Sequence, residues 1–243
     1  MTHDDFDIQV TGVAALGEPI RRALYRYLIA QDRAVSRDDA AAGIGVPRHV
    51  AKFHLDKLEE DGLVEAEFSR PPGRSGPGAG RPAKLYRRSP REWSVSLPER
   101  RYDFAGRLMV QAISAAENSG APVSEALQAS ATEAGRAMGE DARRRAGPAF
   151  TEAQLLSAAR QVLGEYGYEP RPSASLVTLA NCPFHALAKD YTELVCGMNL
   201  DLMRGLVEGL GSRVLEARLE PTPDRCCVVL GPSQKPAGPE QRP

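Results

Sequence analysis

Residues 36–68 read SRDDAAAGIGVPRHVAKFHLDKLEEDGLVEAEF, and this stretch decides the fold. Ser36 is a good helix N-cap, because its hydroxyl can accept from a free N–H of the first turn. Asp38 and Asp39 follow, where the positive end of the helix dipole favours them. The pattern predicts a short helix through Ala42, ended by Gly43, with Gly45 closing a turn. Pro47 starts the next helix, where its fixed φ fits and its missing N–H leaves no bond unmade. Val50, Phe53, Leu55 and Leu58 supply its apolar positions, and Gly62 ends it. Leu63, Val64, Ala66 and Phe68 then predict a strand.

Upstream, Pro19 opens a helix in which Ile20, Ala23, Leu24, Tyr27 and Leu28 recur at spacings of three and four. Downstream, residues 68–91 carry seven basic residues (Arg70, Arg74, Arg81, Lys84, Arg87, Arg88 and Arg91) and no acidic one. Within them RPPGRSGPGAGRP, dense in Gly and Pro, cannot be a helix or an internal strand. It predicts a long basic loop, and Lys84–Arg87 a returning strand.

A short helix, a glycine turn and a longer helix form the helix–turn–helix signature, and the basic hairpin fits a wing. In that architecture the second helix enters the DNA major groove with polar and basic residues near its N-terminus. Arg48, His49 and Lys52 hold those positions, facing away from Val50, Leu55 and Leu58. Arg74, Arg81 and Lys84 of the basic hairpin are candidate contacts to the DNA backbone or minor groove. Arg81, between Gly80 and Pro82, suits a narrow minor groove. His54 reads equally as a DNA contact or as a packed histidine. The expected partner is a double-stranded DNA operator.

Beyond Trp93 the pattern is helical over 101–117, 123–145 and 151–166, the last with Thr151 and Gln154 placed as a capping box. Residues 175–181 predict a strand, and about 188–210 a helix closed by Gly211. Residues 213–220 and 226–230 predict a hairpin. The expected class is α+β: an N-terminal winged helix–turn–helix domain over 1–92, a helical connector and dimerisation region over 93–147, and an α+β sensor unit with a small antiparallel sheet over 148–230. The Pro-rich residues 231–243 are expected to be a disordered tail.

The chain has 243 residues, 42% hydrophobic and 26% charged, with a net charge of -1. That balance suits globular domains and excludes a uniformly basic coat for nucleic acid, though not a local basic patch. No apolar run reaches the roughly 18–20 residues of a membrane span. MTHDDFDIQV shows no signal-peptide pattern, and four cysteines are too few for a disulfide scaffold. A reducing cytoplasm is therefore expected. There is no phosphate loop, GxSxG or HExxH, so an enzyme is not expected. An enzyme-like C-terminal unit fused to a DNA-binding module is the rival reading.

The four cysteines all lie beyond residue 180: Cys182, Cys196, Cys226 and Cys227. Soft thiolates beside an imidazole can hold zinc or an iron–sulfur cluster. Cys182 and His185 have the spacing that lets one turn offer two ligands. Against this, Cys196 recurs with Leu200, Met203, Val207 and Leu210 on an apolar helix face, where free cysteine often only packs. Cys226 and Cys227, adjacent in a predicted strand, are expected to point to opposite faces. A sensor of a small apolar ligand, without metal, is a further alternative.

PIRRALYRYL at 19–28, the stretch at 36–68 and GRPAKLY at 80–86 together resemble the ArsR-type winged-helix repressors. The resemblance covers about the first third of the chain and implies a homodimer on a palindromic operator. The cysteine pair that arsenic and cadmium sensors of that family carry in the DNA-binding core is missing here. The wider layout, with NCPF at 181–184, a helix bearing Cys196 and a C-x-V-x-L strand from Cys226, resembles the repressors of iron–sulfur cluster biogenesis (the Suf-operon repressor family). That resemblance implies a repressor binding an iron–sulfur cluster through Cys182, Cys196 and Cys226, with zinc or no cofactor as alternatives. Cys226 is preferred to Cys227 because it fits C-x-V-x-L. Some members have a further cysteine that this chain lacks, and His185 is the candidate for that position.

Overall fold

The structure is a computed structural model that describes residues 3–69, 82–147, 151–171, 176–213, 215–222 and 225–233. The chain divides into two units, Thr2–Val95 and Ser96–Pro243.

The N-terminal unit begins with α1 (His3–Ala15) and α2 (Pro19–Ile29), followed by β1 (Val35–Ser36) and α3 (Arg37–Ile44). Then come α4 (Arg48–Glu60), β2 (Val64–Ser69) and β3 (Ala83–Arg88). Glu18 caps α2, its carboxylate accepting from Arg21 N at 2.7 Å. Ser36 caps α3, its hydroxyl accepting from Asp39 N at 3.1 Å. Contrary to expectation α3 runs through Gly43 and stops at Gly45, whose φ of 71° is left-handed. The Tyr27 ring fills the space a Cβ on Gly43 would take, so the glycine here serves packing and not helix termination. The apolar faces of α2, α3 and α4 meet under the sheet in a core of Leu24, Leu28, Ala40, Ala51, Leu55, Leu58 and Tyr86. β3 is central, pairing antiparallel with β1 on one side and β2 on the other, with Val64 opposite Arg88 and Ser69 opposite Ala83.

Two features depart from the sequence pattern. α1 has no counterpart in it, because Ile8, Val10 and Val13 make no buried face and are exposed; Gly12 and Ala15 do its packing. Phe53, read as an apolar core position, is 60% exposed. It lies one side of the buried Ala51–Leu55–Leu58 stripe, so the core of α4 is narrower than the pattern implied.

The second unit comprises α5 (Tyr102–Ser119), α6 (Val123–Ala146), α7 (Glu152–Glu165), β4 (Pro170–Arg171) and β5 (Thr178–Leu179). It continues with α8 (His185–Asp190), α9 (Thr192–Leu210), β6 (Leu215–Leu219) and β7 (Val228–Pro232). Thr151 and Gln154 form the capping box at the start of α7. α6 and α9 lie backbone against backbone. A Cβ on Gly135 or Gly139 would collide with the carbonyl oxygens of Leu202 or Leu206, and one on Gly205 or Gly209 with those of Thr132 or Arg136. Glycine is what permits that approach.

Because of this close approach the separation expected between a connector over 93–147 and a sensor over 148–230 does not hold. Leu108 and Met138 share one core with Leu155, Leu206 and Leu230. The first unit also extends past 92 to Val95, since Trp93 packs over Gly12 and Gly62. The strand expected over 175–181 is short: β5 pairs with β4, and Val177 bridges to Leu230. The helix expected from 188 is two helices, broken at Tyr191. β6 and β7 form the expected hairpin, with Leu215 opposite Pro232 and Leu219 opposite Val228, but Cys226 and Cys227 precede β7.

Candidate functional site

α4 presents a polar face whose N-terminal half is basic. Arg48, His49 and Lys52 are all exposed. Arg48 forms an ion pair with Asp38 across the turn, both side chains about two-thirds exposed. Such a pair contributes little and opens readily. Lys52 Nζ lies 3.8 Å from Asp56 Oδ2.

Behind this face a network joins α4 to the sheet. Asp56 Oδ1 accepts from the Tyr86 hydroxyl at 2.8 Å, from Lys84 Nζ at 3.3 Å and from Arg37 Nη2 at 3.4 Å. Arg37 Nε donates to the Tyr86 oxygen at 2.9 Å, and Lys84 also pairs with Glu59. Burial pushes the Asp56 carboxyl up, but the bonds from Tyr86 and Lys84 and the Arg37 charge hold it below the usual range. Burial pushes the Tyr86 hydroxyl up. Lys84, expected as a DNA contact from the wing, is tied into this network with its side chain 20% exposed. Two carboxylates already hold its charge.

His54 takes the packed alternative: its Nδ1 lies 3.3 Å from Glu18 Oε2, with the side chain largely buried. Arg74 and Arg81 lie outside the described residues. β2 and β3, which flank them, pair as a hairpin.

In the second unit all four cysteines are free and neighbouring. Cys226 is influenced by both Cys182 and Cys227, and Cys227 also by Cys196. Cys226 is buried and accepts from Asn199 Nδ2 at 3.2 Å. Its pKa is drawn down, first by Cys182 and then by Cys227, against burial, with the Val228 N–H and Asn199 adding to the lowering. Cys182 and Cys227 are driven up, first by Cys226 and then by burial. Asn199 is fixed in turn by Tyr168, whose hydroxyl lies 2.5 Å from Asn199 Oδ1. Burial pushes that hydroxyl well up, and the cysteines add to the effect.

The NCPF turn is pinned from its own side. Arg100 Nη1 donates to Asn181 Oδ1 at 2.5 Å and to Cys182 O at 2.8 Å. Asn181 Nδ2 donates to Gly167 O at 2.7 Å and Glu99 O at 2.8 Å. This buried asparagine explains the NCPF motif better than its cysteine alone does.

Cys226 therefore neighbours Cys182, while Cys196 neighbours Cys227; His185 joins neither pair. His185 N bonds Cys182 O at 3.1 Å to start α8, which leaves the imidazole exposed. The further neighbour of Cys226 is Cys227. Cys226 and Cys227 sit in a bend before β7, so strand alternation does not separate them. The pairwise links do not make a closed cage: among the described residues no group of three or more His, Cys, Asp or Glu is arranged to hold a metal ion.

Among the described residues no helix is long and apolar enough to cross a membrane. No curated protein and no solved structure matches the chain. Residues 16–67, which contain α2, α3 and α4 and reach into β2, match the family described as helix-turn-helix domain.

Proposed function

We propose that the chain is a sequence-specific transcriptional repressor of the ArsR-like winged-helix kind, acting as a cytoplasmic homodimer on double-stranded DNA. The observation that carries this reading is the exposed Arg48–His49–Lys52 group at the start of α4, the second helix of the matched motif. A recognition helix meets base edges with that end. The exposed Tyr102, Val110 and Ile113 of α5 support a dimer, since apolar side chains on one helix are the common material of a subunit interface. Gel-shift titration against specific and random duplexes tests DNA binding, and light scattering with and without the duplex tests the dimer.

The second unit is proposed as the sensor, holding an iron–sulfur cluster or another soft metal. What supports this is the donor set: four free thiols in one partly buried group, with Asn199 Nδ2 donating to Cys226 Sγ at 3.2 Å. Cys182, Cys196 and Cys226 would hold the group, and Cys227 is the nearest further sulfur. Once bound, an iron–sulfur cluster would supply a state that changes with oxidation or loss of iron. The protein's part is to tie the NCPF turn, α9 and the approach to β7 to one another. A switch follows only if the two states differ in DNA affinity; a coupling of about 1–3 kcal/mol corresponds to about 5–150-fold. Iron, sulfide and zinc content with the visible spectrum of anaerobically purified protein test it. Single Cys→Ser changes at 182, 196 and 226 should abolish the cofactor, while His185→Ala should leave it. A colourless protein containing neither iron nor zinc would defeat the sensor reading.

A further inference from the structure

Phe53 has no role in the core and none in the ion-pair network of α4. It is 60% exposed, in the second turn of the helix, one turn on from His49 and next to Lys52. With His49, Lys52, Asp56, Lys57 and Glu60 it lines a shallow groove of about 280 Å³. Its ring packs against that of His54 in a T-shaped arrangement, with centroids 5.1 Å apart and planes at 78°. With more than half of its surface exposed, the ring remains accessible from solvent.

The surroundings narrow what that face can meet. Every other residue lining the groove is polar or charged, so a broad apolar protein surface would bury those groups without partners. A single small apolar group inside a polar, negatively charged partner suits the site better. Arg48, His49 and Lys52 supply the basic side of that complementarity, toward the helix N-terminus. Toward the C-terminus Asp56, Glu59 and Glu60 outnumber the one cation there, Lys57, which is paired with Glu60, so Phe53 stands at the edge of the basic half of the helix. In the DNA major groove the small apolar group is the C5-methyl of thymine, which phenylalanine is suited to contact.

We propose that Phe53 is a specificity-determining residue that reads a thymine methyl in the operator. This inference rests on the DNA-binding reading given above, and the test separates the two. The probe is a duplex selected from a random-sequence pool by the full-length protein. Its thymines are then replaced one at a time by deoxyuridine, which deletes only the methyl. At one or more positions the wild type should bind the deoxyuridine duplex about fourfold more weakly, the worth of one buried carbon. Phe53→Ala should bind the two duplexes equally, and Phe53→Leu should keep part of the preference. Because Phe53 is exposed, neither change should disturb folding, which circular dichroism checks.

If no thymine methyl matters to the wild type, or Phe53→Ala keeps the full preference, the inference is overturned while the DNA-binding reading stands. If the pool yields no enriched sequence and random duplex is not bound, both are overturned.

Discussion

Asp56 and Asn199 are each the hub of a hydrogen-bond network, one in each unit, and the networks suit opposite surroundings. Asp56 has its side chain 38% exposed and gathers Arg37, Lys84 and Lys52 around the Tyr86 hydroxyl. Its charges remain partly hydrated, so each can be removed without stranding another in a dry site. Asn199 is 1% exposed and neutral, with one end facing Tyr168 and the other the Cys226 sulfur. There nothing but protein can replace a missing partner. The first network braces a surface offered to something outside. The second encloses donors that face one another.

The contrast extends to packing, where the largest effect is expected. Gly205→Ala drives a methyl into the Thr132 carbonyl where α6 meets α9, and both sides are helical backbone. The second unit should lose about 3 kcal/mol or more, at the upper end for overpacking. Gly43→Ala in the first unit meets only the Tyr27 ring, which can swing aside, and should cost clearly less. Denaturant unfolding followed by circular dichroism compares them. Equal losses would erase the distinction between a rigid core in the second unit and a more yielding one in the first.

Binding comes next. Arg48→Ala and Lys52→Ala should each lower discrimination between specific and random duplexes by about 1–3 kcal/mol where the contact is to a base edge. Affinity unchanged on both duplexes would remove α4 as the recognition helix. Within the second unit, Tyr168→Phe leaves Asn199 Oδ1 without its hydrogen-bond donor and should cost about 1–3 kcal/mol of stability. Tyr86→Phe should cost less, because Asp56 keeps Lys84 and Arg37.

Asp56 also gives a pH test with a definite sign. Its carboxyl is lowered in the folded protein, with burial opposing and the bonds from Tyr86 and Lys84 prevailing. The stabilisation is therefore full above the ordinary carboxylate range and disappears as pH falls through the lowered value, below about pH 4. Asp56→Asn should flatten the stability of the first unit over that window. Partial exposure keeps the change small. An unaltered acid limb would mean that other carboxylates govern acid unfolding.

The two units also differ in how far their sequence can be read. The helix–turn–helix rests on interactions close along the chain: the Ser36 cap, the Gly45 turn and the Ala51–Leu55–Leu58 face. Local rules therefore locate α2, α3, α4 and the β2–β3 pair nearly in place. They fail where a side chain answers to distant residues. Lys84 belongs to a basic run in sequence, yet Asp56 and Glu59 claim it in space. Phe53 fits an apolar spacing, yet the core is filled without it. In the second unit spacing reveals the helices but not their partners. The meeting of Gly135 and Gly139 with Gly205 and Gly209 spans some seventy residues. The cysteine neighbourhood depends on a bend before β7, so the strand rule that set Cys226 against Cys227 does not apply. His185 fails for a local reason that the motif does not reveal, since the turn uses its N–H and points the ring outward.

The smallest expected effect concerns Lys84, and it divides a surface residue from a bracing one. Removing a cation that neutralises one phosphate should reduce the slope of log K against log salt by about 0.9. Arg48, held only by an exposed pair with Asp38, is free to exchange that partner for DNA, and Arg48→Ala should show this reduction if it meets a phosphate. Lys84 already lies against Asp56 and Glu59, with Tyr86 beneath it at 5.0 Å from nitrogen to ring centre. Leaving them for a phosphate would take the cation from Glu59 and one of several partners from Asp56, which would oppose the exchange. Lys84→Ala should therefore leave the salt slope unchanged while lowering the melting temperature of the first unit. Salt titrations of both variants, paired with their melting curves, decide the matter. A reduced slope with an unchanged melting temperature would move Lys84 from the brace to the DNA-facing surface.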